Sequence, residues 1–101
     1  MSLMKVKVTR RDIDLANKYN KAREQAKELK IGNSRARWCP IACALRRTKR
    51  HPAFVAYGTS SIKFPDGSQK SWNNMEDAKI LINDFDTGRT VSPQTVTLET
   101  R

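Results

Sequence analysis

Cys39 and Cys43 stand four residues apart in "RARWCPIACALRRTKRH", residues 35–51, a run with six Lys or Arg, one His and no acid. A thiol at a helix N-terminus beside Arg37 is placed where a thiolate is favoured, as a reactive or redox cysteine requires. A nucleophile also needs a base, and His51 is the single histidine in the 101 residues. The alternative is that Cys39 caps a helix with its small polarizable side chain and is buried against a sheet, and this is the expectation. A structural zinc needs four ligands, whereas Cys39, Cys43 and His51 make three at most, so no metal or other cofactor is expected. A disulfide within one helix suits the bond's geometry poorly. Glu76/Asp77 and Asp84/Asp86 read as helix-end and surface charges, and "KIGNSR" lacks the spacing of a phosphate loop. Nothing here predicts an enzyme.

The cations around the cysteines point elsewhere. Arg35, Arg37, Arg46, Arg47, Lys49 and Arg50 flank one short helix, and five of the six are Arg, which grips phosphate bidentately. Trp38 lies among them and either stacks on a base or anchors the core. Lys18, Lys21 and Lys27 extend the patch if the two helices that carry these residues lie side by side. The net charge is +10, and it is segregated. Residues 1–52 hold 15 Lys and Arg against four acids (+11), residues 53–101 hold five against six (−1), and no acid falls between Glu28 and Asp66. The expected function is sequence-tolerant binding of DNA or RNA through phosphates, with no motif for reading bases. Alternatives are an acidic protein partner met by the same arginines around Trp38 or Tyr19, a purely structural or accessory role, or simply a solvated basic face.

A chain of 101 residues makes one domain with a modest core, expected over 4–101 with residues 1–3 as a leader. No apolar run approaches a membrane span, so no membrane partner is expected; two cysteines are no disulfide framework, and a reducing, cytoplasmic setting fits. The elements that must hold the patch follow from period and punctuation. "MKVKV" alternates as a strand, and Thr9 with Asp12 makes a capping box for a helix over 10–30 with a thin stripe of Ile13, Ala16, Ala22, Ala26 and Leu29, closed by Gly32 or Asn33. Pro40 opens a second helix to about Thr48, with Ile41, Ala44, Leu45 and Thr48 facing the core and Cys43 among the arginines. "AFVAYG" and "SIKF" read as strands parted by a Gly-Thr-Ser turn, "PDG" as a turn, and "SQKSW" as a third short strand. Asn73 is expected to start a last helix bearing Met75, Ala78, Leu81, Ile82 and Phe85, ended by Gly88 before the strand "QTVTLET", with Val96 and Leu98 inward and Thr95, Thr97 and Glu99 outward. The order β-α-α-β-β-(β)-α-β predicts an α+β fold: a small, mainly antiparallel sheet with helices on one face. Its expected core is Val6, Val8, Ile41, Leu45, Val55, Ile62, Leu81, Ile82, Phe85, Val96 and Leu98.

At "CPIACAL", residues 39–45, the chain resembles a family of small uncharacterised phage and prophage proteins. The shared landmarks are Asp12-Ile13 after the first strand, the Cys39-Pro40-Ile41-Ala42-Cys43-Ala44-Leu45 helix, a β-meander, Phe85-Asp86-Thr87-Gly88 and Pro93 before the last strand. The chain departs from the family in its charged segment at about 14–30 and in Cys43, where an aliphatic residue is usual. The resemblance implies this fold and a phage origin, hence the cytoplasm of an infected or lysogenic host and a host protein as the acidic alternative partner. It implies no activity.

Overall fold

A computed structural model describes residues 2–25 and 39–101, with side chains of 20–25 left aside. The first strand, β1 (Leu3–Val8), begins one residue before the predicted Met4 and is tied at its start by Thr100 N–H donating to the Ser2 carbonyl. Thr9 then caps α1 (Arg10–Gln25). Asp12 accepts from the Thr9 N–H and hydroxyl, and its own N–H donates to Thr9 Oγ1, which closes the capping box with Asp in the usual place of Glu. Residues 26–30 of the predicted helix, the stripe positions Ala26 and Leu29, Lys27, and the cap residues Gly32 and Asn33 lie outside the described residues.

Helix α2 (Pro40–Lys49) has Pro40 at its first position and Cys39 as its cap. Residues 40–45 are all buried, wider than the one stripe that 3.6-residue periodicity suggests. The reason is that the helix is enclosed: β1, β2 and β3 lie against it on one side, α1 on another, and it touches α3. Cys43 is therefore buried, yet it stands among arginines as expected, at the base of a space it shares with Arg11, Arg46 and Arg47. Thr48, predicted inward, is exposed, its hydroxyl turned back to the Ala44 carbonyl.

The meander follows as β2 (Ala53–Val55), β3 (Thr59–Lys63) and β4 (Gln69–Asn74), then α3 (Glu76–Asp86) and β5 (Gln94–Thr100). The strands form one five-stranded sheet in the order β1-β5-β4-β3-β2, every pair antiparallel. Thr59 and Ser60, read from sequence as turn, belong to β3, because the bend falls earlier, at 56–58. Asn73 likewise lies within β4, which runs on to Asn74, instead of starting a helix. Met75 takes the cap position of α3, and Asp77 in its first turn accepts from Ala78 N–H and from both the N–H and hydroxyl of Thr97. Those bonds also bury Thr97, which alternation alone would leave outward. All eleven predicted core residues are buried, joined by Ile13, Trp72, Val91 and a set of alanines.

The β4 and β5 strands share only three rungs, Trp72 with Thr100, Asn73 with Glu99 and Asn74 with Leu98. The start of β4, including Lys70, therefore runs past the last rung with β5. Lys70 pairs instead with Ile62 of β3, and both line one of the two grooves beside α2.

Candidate nucleic-acid interface

Of the predicted contact residues, Arg35, Arg37 and Trp38 lie outside the described residues, as do the side chain of Lys21 and all of Lys27. Arg46, Arg47, Lys49 and Arg50 emerge together on the last turn and C-cap of α2. Cations at this end meet the negative pole of the helix dipole, so the position favours them even before a ligand arrives. The four nonetheless have different freedom.

Arg47 is committed to the fold. Its Nε donates to Asp12 Oδ1 at 3.1 Å and its Nη2 to Asp12 Oδ2 at 3.0 Å and to the Lys7 carbonyl at 3.0 Å. The pair joins α2 to the start of α1, with the Asp12 side chain buried and that of Arg47 40% exposed. Burial pushes the Asp12 carboxyl up, but hydrogen bonds from Arg47 and Thr9 and the charge of Arg47 together outweigh it and hold the pKa below the usual value. Arg46 is half-buried and donates to the Ala53 carbonyl at 3.2 Å, fastening α2 to β2. Lys49 and Arg50 are exposed. Arg50 sits in the left-handed region, φ 59°, where its N–H closes the helix on the Arg46 carbonyl.

Two grooves border this basic turn. The first, about 440 Å³, lies between α1 and α2 and is lined by Arg11, Asp12, Leu15, Tyr19, Cys43, Arg46 and Arg47. Its single acid is Asp12, already held by Arg47 and Thr9. The second, about 240 Å³, lies at the C-terminal end of α2 and is lined by Lys49, His51, Ile62, Phe64, Lys70 and Trp72, with no acid. Sequence reasoning missed Phe64 and Lys70, and it weighed His51 only as a metal ligand or base. A periodic signal was present for Lys70: it stands two residues before inward-facing Trp72 and so points to the same side of the sheet.

The cysteines answer the thiol question. Cys39 Sγ accepts the Ala42 N–H at 3.4 Å, the cap that the sequence suggested. Burial pushes its pKa up to about 12 and that of Cys43 up to about 11, so both remain thiols at neutral pH. No group of three or more metal-ligating side chains occurs among the described residues, and no described helix is long and apolar enough to cross a membrane. In comparisons with family models, curated proteins and solved structures, the chain matches none.

Proposed function

We propose that this chain is a small basic protein of phage origin that binds nucleic acid in the host cytoplasm through phosphate contacts, without reading base sequence. The observation that carries this is the gathering of Arg46, Arg47, Lys49 and Arg50 on one helix end. There the only acid lining either adjoining groove is already neutralised. Arg46 and Arg47 are oriented by their bonds to the fold, the charge of Arg47 being shared with Asp12, while Lys49 and Arg50 are the exposed contacts. Phosphate positioning needs this combination and no base-edge code.

Fluorescence anisotropy with labelled DNA and RNA across salt tests the proposal. Four to six phosphate contacts on duplex DNA give a slope of log K against log salt of roughly −3.6 to −5.4. The informative variant is Lys49→Gln with Arg50→Gly, since Gly accepts the left-handed backbone at 50 that Ala would strain. The slope should lose about 2 units in magnitude, one per cation removed, while the fold persists. Unchanged affinity and slope in the folded variant, or no binding at low salt, would overturn the proposal.

One feature favours a second reading, an acidic host protein as partner. Leu15 and Tyr19 are exposed at the rim of the larger groove beside Arg11, an apolar centre with a basic edge. Binding to a Glu-rich peptide, lost in Leu15→Ser and absent for nucleic acid, is the result that would select it.

A further inference from the structure

The smaller groove has a composition that phosphate contact alone does not call for. Its walls come from three separate segments, and each is held in place. His51 follows the left-handed cap and precedes Pro52, whose carbonyl accepts the Lys63 N–H at 3.0 Å. Phe64 is fixed by the β3–β4 turn, its N–H donating to the Ser68 carbonyl and its carbonyl accepting from Gly67, which has φ +92°. The His51 and Phe64 rings meet edge-on with centroids 4.9 Å apart. Lys70 extends past the end of β5 and holds its ammonium 5.6 Å from the centroid of the Trp72 ring, a cation–π contact that keeps it at the groove. Lys49, at the end of α2, also lines the groove. Two cations, two part-exposed rings and an apolar floor, without a carboxylate, match a ligand that is at once flat, aromatic and anionic.

We infer that this groove takes a single unpaired nucleotide, its base against the Phe64 and His51 rings and its phosphate on Lys49 and Lys70, so that the protein prefers single strands. The inference rests on the nucleic-acid reading above and narrows its partner. Pockets for drug-sized ligands run to about 300–1,000 Å³, so a groove of about 240 Å³ suits one ring system and not a base pair. In a duplex the base faces are already stacked and the groove would remain empty. Base-on-ring stacking tolerates any sequence, because every base has a π-face.

His51, the only histidine, gives the full chain a single imidazole reporter for proton NMR. A nucleoside monophosphate should shift its ring resonances more than inorganic phosphate at equal concentration. Labelled oligothymidine should bind more tightly than a hairpin duplex, and Phe64→Leu should weaken oligothymidine binding about tenfold while leaving duplex binding unchanged. Lys70→Gln, at an exposed position, should weaken the single-strand complex too and guards against loss of fold in the Phe64 variant. Equal single-strand and duplex affinity, indifferent to both variants, would overturn the inference and leave the phosphate reading standing. Failure to bind either ligand at low salt would remove both. A His51 shift as large with inorganic phosphate would show that no base is held, and a shift with a Glu-rich peptide alone would assign the groove to protein; either overturns the inference.

Discussion

Replacing Asp12 with Asn should cost about 1–2 kcal/mol at pH 7. The carboxylate serves both the first turn of α1 and Arg47, and partial exposure of the guanidinium screens the pair and keeps the figure modest. Because its folded-state pKa lies below the unfolded value, this stabilisation is fully present above the ordinary carboxylate pKa of about 3.9 and is lost as pH falls through the folded value. Urea midpoints of wild type and Asp12→Asn should therefore differ at neutral pH and converge in acid. A gap that stayed constant would show that the charge has no part in it. The thiols make a second residue-scale test: iodoacetamide should leave Cys39 and Cys43 unmodified in the folded chain and alkylate both in denaturant, as burial and raised pKa require. Rapid native labelling of Cys39 would contradict its role as a buried cap. The role of Cys39 was legible from Pro40 beside it, and the Thr9–Asp12 box from its spacing. The partner of Arg47 was not, because Asp12 stands 35 residues away and no local rule links them.

The elements themselves were largely written in their periods, and the departures occur where one element's residue serves another. Asn73, three residues before Glu76, reads as a helix cap, yet the strand runs on and the next residue, Asn74, turns inward to bind the β2–β3 bend. Its Oδ1 accepts from Ser60 Oγ at 2.6 Å, and its Nδ2 donates to the carbonyls of Ala56 at 2.8 Å and Tyr57 at 3.0 Å. Asn74→Ala should cost about 2–4 kcal/mol, since it strands a fully buried hydroxyl and two carbonyls at once. A chemical-denaturation midpoint within error of wild type would show that water replaces all three bonds. Thr97 departs for the same kind of reason, its hydroxyl donating to Asp77 at 2.8 Å and accepting from Lys5 at 3.0 Å. Alternation describes a strand beside other strands, and it fails where a helix start takes the place of a neighbour. In α2 the alanines at 42 and 44 let neighbours approach on every side, a closeness that a single-stripe reading cannot express.

At the scale of the whole molecule, charge segregation along the chain survives folding in one respect: the described cations of residues 46–50 stay together at one helix end. What the sequence could not display is the smaller groove, because segments 49–51, 62–64 and 70–72 are each ordinary and acquire meaning only when β3–β4 pairing and the end of α2 set them around one space. The same sheet brings the two ends of the described chain side by side. Ser2 and Thr100 touch hydroxyl to hydroxyl at 2.7 Å, and β1 runs antiparallel to β5 from that point. A pull applied through these two residues would load the rungs between β1 and β5 one after another, beginning with Leu3 opposite Glu99. The molecule would open like a zipper under small force, whereas drawing the same strands lengthwise past one another would strain all six pairs together. Mechanically this fold has a weak direction, and both of its handles lie there.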